Sequence, residues 1–445
     1  MVRCPQSSDC FDRPTNRLMH QPHHTVEIAE NRCFHANPTL LGLPAATCQS
    51  CSVPIFAPFR ALRYRADHEL SLVTAPPYDV LTAKDRSHLM SLHEHNVVAV
   101  DLPVGDDPYA TAAATLASWR NDGVLQLDAR PSFTLYRMGF VDARGDRRNT
   151  VGVIGALEVV DEGADGVLPH ERTTPKAKTD RLDLTRATRA NLSPVWGLSL
   201  REQLTDALVA SGELLGEFVD DNGVTHRVER VDDPMRVRSI ASLVSSAPVL
   251  IADGHHRYAI ARTYRDEMRG TPLAEAATTT MTYVGELVEQ QLSIAAIHRL
   301  YRGITADELR AVVSTKFHVE AINGEVTSRI ISEMSERGSL CLVAQSGSAW
   351  WLTPKADAFP GLRDLDSDRL EAALRTVNHE VAYQHGFDEV IVQLNAGHAQ
   401  AAVLIRPTSI TEIRRTADER LLMPPKSTFF TPKLRTGLVI RPLNV

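Results

Sequence analysis

The stretch Val249-Leu250-Ile251-Ala252-Asp253-Gly254-His255-His256-Arg257-Tyr258 passes from an apolar run through a glycine into a basic cluster. Four apolar residues ahead of a turn signal predict a short buried strand over 249–252. Beyond it, Tyr258, Ala261, Tyr264 and Met268 recur at spacings of three and four, the apolar stripe of a helix. The turn between the two falls at Gly254. The first amides of a helix have no acceptor inside it, and the helix dipole leaves partial positive charge there. Gly254 lacks the side chain that would hold an anion away. Arg257 offers a planar pair of donors that suits phosphate oxygens. His255 and His256 can donate further bonds or exchange protons near neutral pH. Asp253 can orient a histidine or hold Mg2+. The competing reading is a capped helix start with surface histidines. Five such residues in succession, between a buried strand and an amphipathic helix, favour a phosphate site.

Outward from this turn, regular patterning begins near Pro54. Residues 96–102 read as a strand running into a loop. Asp107 then caps a helix, Pro108 opens it and Gly123 ends it. Residues 132–140 and 150–160 predict two strands joined by a polar hairpin turn at 142–146. From 169 to 194 the chain is charged and without period, either a long loop or a helix with functional cargo. Asp233-Pro234 opens a helix, and others are predicted from Thr305, from Ser367 and over 411–419. A strand is expected over 402–405, and Leu438-Val439-Ile440 is a closing apolar run. Trp119, Tyr264 and Leu374 read as core. The fold class is α/β (α+β), a mixed-sheet multi-domain protein without internal repeats.

Of 445 residues, 43% are hydrophobic and 23% charged, ordinary for a globular chain of two or three domains. The formal charge of -7 gives no net pull toward nucleic acid. No run of about 18 apolar residues suggests a membrane span, and no secretory pattern is seen, so a cytoplasmic setting is expected. Cys4, Cys10, Cys33, Cys48 and Cys51 cluster with His20, His23, His24 and His35, which invites a zinc reading. Cys48 and Cys51 have the right spacing for one ligand pair, but Cys33 and His35 are too close for a second. Scattered Pro, Ser, Asn and His favour a poorly ordered extension over 1–53.

The Gly254-His255-His256-Arg257-Tyr258 segment resembles the second signature of the ParB/sulfiredoxin superfamily, a Gly-x-x-Arg-Tyr that follows a strand and opens a helix. That superfamily includes CTP-binding partition proteins, sulfiredoxin, which uses ATP, and a free-serine kinase, which uses ADP. The double histidine resembles the kinase branch most. A longer resemblance runs from about Pro54 to the C-terminus. It is carried by Ala75-Pro76-Pro77-Tyr78-Asp79-Val80, Pro169-His170-Glu171-Arg172-Thr173, Ala252 to Tyr258, and Met423-Pro424-Pro425-Lys426-Ser427-Thr428-Phe429-Phe430-Thr431-Pro432-Lys433. On these motifs the chain is similar to the bacterial family called domain of unknown function 1015, which implies no activity by itself.

Beyond the extension over 1–53, the resemblance implies an N-terminal α/β domain over 54–165 and a ParB/sulfiredoxin-like nucleotide-binding core over 166–300. A C-terminal α/β region over 301–445 would return its tail to the site. The implied activity is a nucleotide-dependent phosphotransferase using ATP or ADP with Mg2+ on an alcohol such as free serine. By motif position Glu171 is the base, though a surface Glu competes evenly. His255, His256 and Asp253 are the other catalytic candidates. Gly254, Arg257, Lys426, Ser427 and Lys433 are the phosphate-binding ones, and Tyr78, Asp79 and His170 would meet the substrate. Pro76-Pro77 makes a stiff turn that suits presentation of Tyr78 and Asp79. Arg181 could neutralise phosphate or be solvated, Lys176 is more readily solvated, and His298-Arg299 could face the same pocket but reads more readily as a strand-end pair. Two alternatives stay open: a nucleotide-gated DNA- or protein-binding module of the ParB type, and a phosphohydrolase or nuclease built on the two histidines. Oligomeric state is undetermined.

Overall fold

The computed structural model describes residues 53–142, 145–171 and 178–444. The N-terminal cysteines, and Arg172, Thr173 and Lys176, lie outside the described residues. A nine-stranded mixed sheet forms the larger part. Its order is Val167–Pro169, Val249–Asp253, Val195–Ser199, Thr279–Glu286, Arg147–Glu158, Phe133–Val141, Thr225–Val231, Glu213–Val219, with Phe56–Ala57 pairing beside the path on Arg147–Glu158. The stretches 54–165 and 166–300 therefore contribute strands to one sheet. A second, six-stranded sheet uses residues 297–404 in the order Phe317–Ala321, Ala349–Pro354, Leu340–Ala344, Ala401–Leu404, Ile297–Arg302, Glu380–His385. Mixed α/β architecture is what the alternating patterns predicted.

Local signals act as expected at several ends. Asp107 accepts from the Ala110 amide with Pro108 at the first helical position, and Asp233 does the same for Arg236 ahead of Pro234–Val244. Thr305 and Glu308 form a reciprocal capping box. The 142–146 hairpin closes with the Asp142 amide on the Asp146 carbonyl. The aperiodic stretch after Pro169 contains the helix Lys178–Thr188.

One expected strand is a helix. Within 96–102, Val98–Asp101 is a single helical turn. Asn96 starts it: its side-chain oxygen accepts from the Val98 amide at 3.1 Å while its amide nitrogen donates to Leu72. The valines around it are apolar because all sides are packed, and strand-like composition follows from burial. His298 and Arg299 also differ from expectation. They lie inside Ile297–Arg302, fully buried, not at a strand end.

Candidate functional site

Three chain segments meet at one edge of the large sheet because of strand direction. Val167–Pro169 runs parallel to Val249–Asp253, so His170-Glu171 leave the sheet at the same end as Asp253-Gly254. Val195–Ser199 runs antiparallel, which brings its leading residue Pro194 to that end too. The C-terminal tail closes over this corner. The Met423 amide donates to the His170 carbonyl at 2.8 Å, and Phe429–Thr431 pairs with Ser293–Ala295. Phe430, 1% exposed, anchors the tail against Trp196 and His170. Burying a phenylalanine contributes roughly 1.5–3 kcal/mol.

Gly254 has φ +85° and caps the helix His255–Glu267, and no side chain covers the first amides. A Cβ there would stand 2.9 Å from Arg257 Nε, so glycine is required both by φ and by the returning guanidinium. Arg257 donates to Asp253 at 2.7 Å and to the Pro194 carbonyl. Lys433 takes the other oxygen of Asp253 at 2.7 Å and lies 4.1 Å above the Phe429 ring. Burial alone would raise the Asp253 pKa, but Lys433 and Arg257 outweigh it and hold the group ionised, well below the usual aspartate range. Arg257 and Lys433 thus face one carboxylate directly beside the helix N-terminus.

His170 is buried and neutral. Burial pulls its pKa down to about 4. Its Nδ1 donates to the Ile251 carbonyl at 2.5 Å, and its Nε2 accepts from the Thr428 hydroxyl at 2.8 Å. Its ring stands 4.8 Å from that of His255, edge to face. Burial, then the nearby His170, lowers His255 far below its ordinary value, so it too is neutral. His255 Nε2 is buried without a hydrogen-bond partner. Glu171 accepts the Lys426 amide at 2.6 Å and the Ser427 amide at 3.2 Å. Burial raises its pKa despite these donors. Lys426 has φ +61°, which turns consecutive amides onto the one carboxylate. The Ser427 hydroxyl faces inward onto the Pro424 carbonyl, so its amide rather than its side chain serves the corner.

Arg257 also borders a cavity lined by Tyr78, Asp101, Arg181, Tyr264 and Thr280. The Arg181 guanidinium lies 4.3 Å over the Tyr78 ring and donates to the Asp101 carbonyl at 2.6 Å. Arg181 is therefore not a solvated surface charge. Asp79, exposed, faces Arg257 electrostatically. Asp253, Gly254, His255, Arg257, His170, Glu171, Lys426, Ser427 and Lys433 thus adjoin one another, and Tyr78 approaches Arg257 from the cavity side. His256 follows on the first turn of the same helix.

Sequence reading missed Asp101 and Pro194, and gave Arg299 second place as a pocket residue. Arg299 donates to the Lys426 carbonyl at 3.1 Å, stacks 4.7 Å from Tyr383 and keeps Nη2 buried without a partner. An aspartate or arginine inside an otherwise apolar run was the available signal for Asp101 and Arg299.

No curated protein matches the chain. Among solved structures, a conserved hypothetical protein from Pyrococcus furiosus is 10% identical with TM-score 0.35, over 60% of this chain and 87% of that one. A free serine kinase solved with AMP is 12% identical with TM-score 0.35, over 61% and 88%. A C-terminally truncated SbnI from Staphylococcus aureus is 12% identical with TM-score 0.37, over 64% and 87%. No helix among the described residues is long and apolar enough to cross a membrane. Residues 56–372, most of the chain, match the family described as Protein of unknown function (DUF1015), and the chain belongs to that family.

Proposed function

We propose that this corner binds the phosphates of a nucleotide, ATP or ADP, and that the protein is a phosphotransferase acting on a small-molecule alcohol such as free serine. The observation that carries the reading is the helix start at Gly254, which no side chain caps, flanked by Arg257 and Lys433, with the half-buried carboxylate of Glu171 at the same sheet edge. Phosphoryl transfer needs mainly positioning and stabilisation of negative charge. Amides 255–257, Arg257 and Lys433 would supply that stabilisation, and the neutral His255 would donate from the Nε2 that has no partner inside the protein. His256 and Lys426 would add to it. Glu171, its pKa raised by burial, would accept the hydroxyl proton while the Lys426 and Ser427 amides hold it in place. His170 would fix the geometry by tying Thr428 to Ile251, and Tyr78 would present substrate from the cavity.

Mg2+ would enter on the nucleotide phosphates. Both Asp253 oxygens are engaged by cations, which leaves Asp79 as the nearby exposed carboxylate able to meet it. The test is incubation of the full chain with ATP or ADP, Mg2+ and a panel of amino acids and polyols, read by mass spectrometry. A phosphorylated acceptor supports the proposal. Phosphate release without an acceptor would select a hydrolase, and nucleotide binding with neither product would select a gated binding module.

A further inference from the structure

A separate group of side chains takes no part in the corner described above. The turn after the strand Leu62–Tyr64 carries His68, and the loop after the helix Ala83–Leu92 carries His93 and His95. One potential ligand nitrogen from each lies within 4.8 Å of the others, the only such group of three among the described residues. The ring centroids are 5.6 Å apart for His68–His93, 5.6 Å for His68–His95 and 5.3 Å for His93–His95.

We propose that His68, His93 and His95 form a binding site for a divalent transition-metal ion of the zinc type, with a fourth position open to water. Imidazole nitrogen suits zinc, copper, nickel and cobalt ions, and three histidines with one open position is an established coordination set. Tetrahedral Zn2+ with bonds of about 2.0–2.1 Å places its ligand nitrogens about 3.3 Å apart, so the rings must close by roughly 1.5 Å at most. All three side chains are half-buried, on loops that can move by that amount.

The surroundings support the assignment. Asp67 Oδ1 lies 3.0 Å from His68 Nδ1, which holds Nδ1–H and leaves the Nε2 lone pair for an ion, the carboxylate–histidine–metal arrangement. His95 Nδ1 is buried and has no hydrogen-bond partner within the protein. Its ring is braced at 5.6 Å edge-on to Trp119, and the Tyr64 hydroxyl donates to its carbonyl at 2.8 Å. His93 Nδ1 accepts the His95 amide at 3.0 Å, and an ion binding at that nitrogen displaces this hydrogen bond. Glu94 and Asp122 add negative potential near His95, while Arg65, paired with Asp67, opposes it.

The N-terminal cysteines are a rival sink for zinc, and Co2+ separates the two sources. The chelator-stripped full-length chain is titrated with Co2+ and then Zn2+, alongside H68A, H93A, H95A and a C48S/C51S variant. The expected result is one equivalent of Co2+ with visible d–d bands and no thiolate charge-transfer band, kept in C48S/C51S and weakened at least tenfold in each histidine variant. H93A, on a half-exposed loop, guards against loss through misfolding at His95, and circular dichroism checks each chain. Undiminished binding in folded H68A and H93A would overturn the site. So would binding that disappears only in C48S/C51S.

Discussion

Replacing Asp253 by Asn removes one charge and almost no volume, so it isolates the electrostatics of the corner. In the native protein one carboxylate faces two cations, each at 2.7 Å. Removing one partner of a buried pair typically costs about 3–5 kcal/mol, because the remaining charge is left uncompensated. Side-chain exposures of 22% for Asp253, 12% for Arg257 and 13% for Lys433 let water screen the loss. A screened value below that range, about 2–3 kcal/mol, is therefore expected. Urea denaturation at pH 7 measures it as a shift in midpoint at constant slope. The pH dependence has a definite sign. The folded pKa lies below the ordinary 3.8, so the stabilisation is fully present above that value and is lost as pH falls toward the folded pKa. The gap between wild type and D253N should hold from pH 5 to 8 and close below about pH 4. The same change should tighten Mg2+-free ADP about tenfold, because one negative charge no longer opposes the phosphates. A D253N protein as stable as wild type within about 0.5 kcal/mol, with unchanged ADP affinity, would refute the reasoning.

Three further outcomes follow from the same geometry. His170 is neutral when folded, with its pKa pulled down to about 4, so its contribution is present above about pH 6.5 and lost as pH falls toward 4. The wild type should lose about 3 kcal/mol across that window from this group, and H170Q should show a flatter urea-midpoint profile; parallel profiles would contradict it. Gly254→Ala should cost about 1–2 kcal/mol from φ +85° and, by displacing Arg257, weaken ADP binding at least tenfold by calorimetry; wild-type affinity would show that the guanidinium is not needed. Glu171→Gln should lower phosphotransfer turnover by about a hundredfold or more while leaving nucleotide affinity within a few-fold; unchanged turnover would remove Glu171 from the role of base.

How much of this was legible before folding depends on how local each cause is. Helix starts at Asp107, Asp233 and Thr305 are set by contacts within three residues, so their chemistry is written in the chain. The strand–turn–helix around Gly254 is likewise local, because an apolar run, a glycine and an amphipathic stripe each act over a few residues. The 96–102 stretch misled for the converse reason: its valines report burial, and one Asn96 side chain chose the helical turn.

By itself the sequence determined the mixed α/β class, the Gly254 turn with its basic helix start, and the family motifs. Only the tertiary structure decided that Glu171 sits in the amide cradle of Lys426 and Ser427, 255 and 256 residues further along the chain. It also decided that Lys433 and Arg257 share Asp253, that Arg181 is buried on Tyr78, and that His68 meets His93 and His95. The physical reason is direction. A parallel strand pair places two distant loops at one sheet edge, and no local spacing encodes whether strands far apart in sequence run parallel or antiparallel.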